Sequence, residues 1–258
     1  MRINKYLANQ GVCSRRSADR LIEEGRVMLN GKRAVLGDDV GEEDVVTVND
    51  VPVAPVAQRV YYAYHKPRGV EVTHAEGAGT NLPKALGIDQ HLFAVGRLDK
   101  DSSGLLLVTN DGDIVNKILK PDQGHEKEYL VHTVHPVTQG FINGLAKGAV
   151  LDGRPTRPAK VTRQNQFAFR IVLTEGRNRQ VRRMVEKLGN EVKFLSRERV
   201  MHIKLGHLKP GEMRELTKKE RVELLKATLL RQERDGHEQH HQNQKPKCAP
   251  DFPKQNGL

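Results

Sequence analysis

Three short segments of this 258-residue chain hold residue types at spacings that could do chemistry. The first is Gly96-Arg97-Leu98-Asp99-Lys100-Asp101-Ser102-Ser103-Gly104-Leu105-Leu106-Leu107. An apolar stretch leads into a polar loop with two carboxylates, and a second apolar stretch leaves it. Loops held between rigid strands are where function concentrates, although Asp and Ser in a loop also serve simply to satisfy backbone donors. The second segment is Leu173-Thr174-Glu175-Gly176-Arg177-Asn178-Arg179-Gln180-Val181-Arg182-Arg183-Met184. Val181, Met184, Val185 and Leu188 form one apolar stripe at helical spacing, with Asn178 as the expected N-cap. At about 100° per residue, Arg179 and Arg183 are expected to point away from that stripe, toward solvent or phosphate, while Arg182 lies at its edge. Such a helix can hold one guanidinium against a half-buried carboxylate and offer the others to phosphates; an ordinary solvated helix face has the same look. The third segment is His125-Glu126-Lys127-Glu128-Tyr129-Leu130-Val131, where the Tyr129 ring can stack on a base or serve only as a strand aromatic.

These segments need elements to position them. Strand-like runs are expected at Val60 to Tyr64, Phe93 to Val95, Leu105 to Thr109, Tyr129 to Val134 and Phe167 to Leu173. Helices are expected at Asp113 to Lys120, stopped by Pro121, and at Asn178 to Leu188, closed by Gly189. A last helix opens on the capping box Thr217-Lys218-Lys219-Glu220. Strands and helices do not alternate strictly, so the expected class is α+β with a largely antiparallel sheet. Residues 60–230 would form this large domain.

Residues 1–48 read as a separate small unit. Ile3, Tyr6, Leu7 and Gln10 begin one helical period; Ser14 caps a second helix whose Ala18, Leu21 and Ile22 face a core, and Gly25 follows it. Val27 to Lys32 reads as a hairpin about Asn30-Gly31. Charge is segregated here: Arg2, Lys5, Arg15, Arg16, Arg20, Arg26, Lys32 and Arg33 precede Ala34, while residues 34–48 carry five acids and no base. Residues 49–59, with Pro52 and Pro55, read as a linker. Residues 231–258 are polar, His- and Lys-rich and are expected to be disordered, lacking apolar surface to offset ordering entropy. His237, His240 and His241 in that tail could bind a metal, but a solvated tail is the stronger reading.

Composition narrows the partners. Lys and Arg number 43 against 32 Asp and Glu, a formal charge of +11 and a pI near 9.7. A surface that basic suits a polyanion, usually nucleic acid. No apolar run approaches a membrane span, and the N-terminus lacks a signal peptide's apolar stretch. Cys13 and Cys248 support neither a disulfide framework nor a Cys-based zinc site. A cytoplasmic location is expected, with no membrane partner.

In this order and spacing, Gly96 to Leu107, Lys127-Glu128-Tyr129 and Gly176 to Met184 resemble the signature motifs of ribosomal pseudouridine synthases of the RsuA/RluB/RluE/RluF type. His65-Lys66-Pro67-Arg68-Gly69-Val70 resembles that family's leading motif, and Arg2 to Val48 is similar to its S4 RNA-binding domain. Gly112 to Leu119 followed by His125 to Tyr129 looks most like the RluF branch, whose target is large-subunit (23S) rRNA; the tail is shorter and less basic than that branch's extension. The resemblance implies a pseudouridine-synthase fold and the isomerisation of a uridine, with no metal, nucleotide or redox cofactor. It implies that Asp99 is the catalytic aspartate, that Arg97 helps hold the target base out of its stack, that Tyr129 packs on the uracil, and that Arg182 pairs with the aspartate. Lys5, Arg15, Arg16, Arg26, Lys32 and Arg33, with Arg179 and Arg183, are the expected phosphate contacts. The alternatives are the same reaction on another 23S site, small-subunit rRNA or a tRNA anticodon loop, or a non-catalytic S4-type ribosome-associated protein.

Overall fold

The computed structural model describes residues 1–54, 58–73, 82–87, 92–119 and 124–229. The expected tail, the Pro121 helix stop and residues 55–57 of the expected linker lie outside these.

The N-terminal unit forms as its local chemistry dictates. Helix α1 (Ile3–Asn9) packs on α2 (Arg15–Glu23), whose N-cap Ser14 accepts a hydrogen bond from the Ser17 amide. Ile3, Leu7, Ala18 and Ile22 meet Val27 and Val46 in one small core. Strands β1 (Val27–Leu29) and β2 (Lys32–Arg33) join through Asn30 and Gly31, both at positive φ, as a type I′ turn requires. β3 (Val46–Val48) pairs with β1, and β4 (Val51–Pro52) extends the sheet along β3. The linker expected over 49–59 therefore begins within the domain. Pro52 sits on an edge strand, where its missing N–H costs no ladder bond.

The large domain is built on β5 (Tyr61–Lys66), β6 (Phe93–Val95), β7 (Ser103–Thr109), β8 (Lys127–Thr133), β11 (Lys160–Asn165), β12 (Ala168–Leu173), β13 (Val192–Val200), β14 (Ile203–Lys204) and β15 (Met213–Glu215). The sheet runs β11-β12-β8-β13-β7-β5-β15, with β6 on β7 and β14 on β13. A short hairpin, β9 (Val150–Leu151) and β10 (Arg154–Pro155), stands apart. Among the described residues every pairing in the sheet is antiparallel except β13 with β7, so the expected α+β class with a largely antiparallel sheet holds. That parallel contact needs Gly104: a Cβ there would come 2.3 Å from the Arg197 nitrogen, and its φ is +112°.

Helices cover both faces. α5 (Gln139–Lys147) and α6 (Gln180–Lys187) flank a core of Val131, Phe169, Ile171, Met184 and Val185. α4 (Gly112–Leu119) and α7 (Lys218–Leu229) cover Leu105 and Leu107. Leu106 and Val108, pointing the other way along β7, pack near α3 (Leu82–Leu86). The capping box forms as expected: Glu220 N–H donates to Thr217 Oγ1 and Thr217 N–H to Glu220 Oε2. No helix among the described residues is long and apolar enough to cross a membrane.

Local expectations fail in places. Asn178 is not the cap of α6: the helix begins at Gln180, and Arg179, in a left-handed conformation at φ 47°, stands at the N-cap. β13 carries no expected strand run, because Lys193, Arg197, Glu198 and Arg199 break its apolar pattern.

Candidate active site

β6 and β7 hold the loop 96–102 between them, and a cleft of about 690 Å³ opens over it. Its wall includes Arg97, Asp99, Asp101, Lys127, Tyr129, Arg177, Arg179 and Arg197. The segment His65 to Val70 supports the loop from beneath. Lys66 is wholly buried, and its ammonium donates to the carbonyls of Pro67 and Val70 at 2.8 Å and of Lys100 at 3.5 Å. Gly69 N–H donates to Lys100 O at 2.8 Å. Burial pushes the Lys66 pKa down to about 8, opposed by the negative charges of Asp99 and Asp101. His65 adds a brace: Nδ1 donates to Leu208 O at 2.7 Å and Nε2 meets Ser103 Oγ at 2.9 Å.

Asp99 is partly open to the cleft, its side chain 30% exposed. Its Oδ2 lies 3.9 Å from Arg182 Nε and 3.9 Å from an Arg179 terminal nitrogen. Arg182 is buried, as its place at the edge of the α6 stripe predicts. Its terminal nitrogens donate at 3.3 Å to Val192 O, Asp101 O and Ser102 Oγ. Among the described residues, Arg182 Nε has no hydrogen-bond partner. A closure of about 1 Å would bring it to ordinary hydrogen-bond distance from Asp99. Such tightening is common when an open site meets its substrate. Burial, with the Arg179 charge second, pushes the Arg182 pKa down, while Asp99 and Asp101 oppose the shift.

The other arginines of this segment divide by position. Arg179 does not point away from the carboxylate as a helical position would. Its left-handed cap conformation takes it off the wheel, and it sits within 3.9 Å of both Asp99 and Asp101. Arg183 does point away, but it grips Asp152 with two hydrogen bonds at 2.9 and 2.6 Å. Arg177 anchors the segment by donating to Leu151 O and Arg154 O, and Gln180 ties it to Glu175 at 2.8 Å.

Tyr129, half-buried on β8, faces Arg197 directly across the ladder and packs where two cores meet. Arg97 is exposed at the cleft's mouth. Sequence reasoning missed Arg197, Lys127 and Lys66 as parts of the site. Arg197 is only 3% exposed; its Nε donates to Leu105 O at 2.7 Å and Nη1 to Arg97 O at 3.4 Å, so it staples both ends of the Asp99 loop. Burial, then the Arg197 charge, pushes the Lys127 pKa down. The signal that could have found Arg197 is the run 193–199 read as a strand, whose alternation turns some of its charged residues inward, where a buried guanidinium must find acceptors.

In the N-terminal unit, Arg15, Arg16 and Lys32 are exposed with no hydrogen-bond or ion-pair partner among the described residues. Arg26 bonds Asn49 and Glu24, and Arg33 bonds Glu23 O. Lys5 pairs with Asp113 of α4 at 2.6 Å, joining the two domains.

Against known proteins, residues 60–187 match the family model described as RNA pseudouridylate synthase, and residues 1–46 match the S4 domain. The chain is 46% identical over 228 residues to the dual-specificity RNA pseudouridine synthase RluF of Escherichia coli (strain K12), covering 88% of this chain and 79% of that one. It is 37% identical over 235 residues to the ribosomal large subunit pseudouridine synthase B of Bacillus subtilis (strain 168), covering 88% and 96%. A solved pseudouridylate synthase superposes with a TM-score of 0.63 at 30% identity, covering 87% of this chain and 99% of that one.

Proposed function

The chain belongs to the RNA pseudouridylate synthase family, with an S4 domain at its N-terminus, and from that premise we propose that it converts a uridine of large-subunit ribosomal RNA to pseudouridine with Asp99 as its catalytic group. It is an isomerase: the N1–C1′ bond of the uridine breaks, the uracil turns, and C5 bonds to C1′ as its proton leaves and N1 gains one. The large-subunit target is supported by the B. subtilis relative, whose name specifies that subunit.

A uridine stacked in a helix cannot reach the cleft, so it must be flipped, at a cost of a few kcal/mol. Tyr129 offers its ring to the flipped base, and a base–aromatic stack contributes about 1–3 kcal/mol. Arg97, at the mouth, can fill the space that the base leaves and meet the strand's phosphates. Asp99 is the carboxylate of the cleft that two guanidiniums flank, and in this reading it faces the ribose. Whether it attacks C1′ or takes the 2′ proton, it must be ionised when the substrate arrives. Closing the cleft removes water and penalises that charge. Arg182 and Arg179 oppose the penalty, and Arg182, held by three acceptors, also fixes the carboxylate's direction.

The observation that carries the assignment is that Asp99, open to the cleft, has two guanidiniums at 3.9 Å. Mapping pseudouridines in ribosomal and transfer RNA from a strain lacking the gene tests the target. One site missing from large-subunit rRNA, restored by the intact gene, supports it. Loss only from small-subunit or transfer RNA overturns it.

A further inference from the structure

A second cavity, about 310 Å³, lies where the S4 domain meets the catalytic domain. It is within the size range of small-ligand pockets. Its floor is apolar, formed by Phe93 and Ala94 of β6 and Val115 of α4. Arg15, at the start of α2, and Arg97 stand at its edge. Both guanidiniums are exposed and lack a partner among the described residues. Lys5 lines it too, but its charge is matched by Asp113 at 2.6 Å, the ion pair that closes the S4 domain onto α4. The cavity is not isolated: Val72, Gly96 and Arg97 line both it and the cleft over Asp99.

We propose that this interdomain pocket holds a nucleotide adjacent to the target uridine, with its base on the Phe93–Ala94–Val115 floor and its phosphate between Arg15 and Arg97. This rests on reading the adjoining cleft as the place where the flipped uridine sits. An apolar floor with cations at one edge matches the two ends of a nucleotide, a flat π face and an anion. The RNA strand entering the cleft passes Arg97, so its neighbouring residue is delivered to the pocket. Flipping one base also strips its neighbour of a stacking partner. A surface that receives the neighbour offsets part of that cost and does so without reading sequence, because every base has a π face. The S4 domain then contributes more than tethering, since α1 and α2 complete a wall of the substrate site.

The test uses the full chain and a synthetic rRNA hairpin carrying the mapped uridine, with each flanking nucleotide replaced in turn by an abasic residue. Dissociation constants are measured for wild type, for Val115→Phe, which fills the floor, and for Arg15→Ala, an exposed position whose loss leaves the fold intact. One abasic position is expected to weaken wild-type binding by about 5- to 150-fold. The same replacement should add little to the already weakened binding of Val115→Phe, and its penalty should shrink in Arg15→Ala. Arg15→Ala should also lower the salt slope by about 0.7, one phosphate contact. The proposal is overturned if no abasic position stands out, or if its penalty is the same in wild type and both variants. Failure of the cleft reading shows separately, as absence of pseudouridine when wild type meets the intact hairpin, whereas the pocket is read from binding alone.

Discussion

Replacing Arg182 with Met removes one of the two guanidiniums beside Asp99 while keeping an unbranched side chain in the α6 stripe. At 3.9 Å and an effective dielectric near 20, the lost attraction is about 4 kcal/mol. Asp99 is 30% exposed and Arg179 remains at the same distance, so water and the second cation screen the loss. About 2 kcal/mol should survive, a roughly 30-fold fall in the chemical step. The variant also strips donors from Val192 O, Asp101 O and Ser102 Oγ, a structural cost of about 1–3 kcal/mol that the thermal midpoint reads separately. Single-turnover pseudouridine formation at saturating RNA isolates the chemistry. Arg183→Met, whose partner is the exposed Asp152, is the matched control and should change the chemical step little. The reasoning is refuted if Arg183→Met loses the chemical step and Arg182→Met keeps it.

Tyr129→Phe should bind a substrate stem-loop as wild type does, while Tyr129→Leu should lose about 1–3 kcal/mol; equal affinity for wild type and the Leu variant would make Tyr129 only a strand aromatic. Lys66 has its folded pKa depressed from 10.5 to about 8, so between those values the unfolded chain holds more protons and stability must rise with pH. The gain, of order 3 kcal/mol, should vanish in Lys66→Met, and urea unfolding from pH 7.5 to 10.5 would show whether the two proteins differ. Deleting residues 1–54 removes Arg15, Arg16 and Lys32, three exposed cations, and should lower the log–log salt slope of RNA binding by about 2; an unchanged slope would deny the S4 domain its phosphate contacts.

What was legible in the sequence was local. The Ser14 cap, the Asn30-Gly31 turn and the Thr217–Glu220 box each encode their geometry within a few residues, and each formed. The inward direction of Arg182 followed from the α6 stripe, which places it at the core's edge. Long-range placement was not legible. β13 hid because its charged residues find partners only after folding: Arg199 with Glu126 and Glu128, and Arg197 with the carbonyls of Arg97 and Leu105, on either side of Asp99. Arg179 was misdirected because a wheel presumes helical φ, and its φ is +47°. Burial of Lys66 was not legible because it takes the fold to bring the loop at Lys100, 34 residues away, over it; the carbonyls of Pro67 and Val70 that also accept its protons are local and do not by themselves bury it.

The central claim, that Asp99 does the chemistry, is tested most directly by Asp99→Asn in a single-turnover assay on rRNA, with RNA binding measured alongside. The substitution keeps shape and removes charge, so the account predicts no pseudouridine with RNA still bound. Pseudouridine formed by Asp99→Asn at a rate near that of wild type would contradict it.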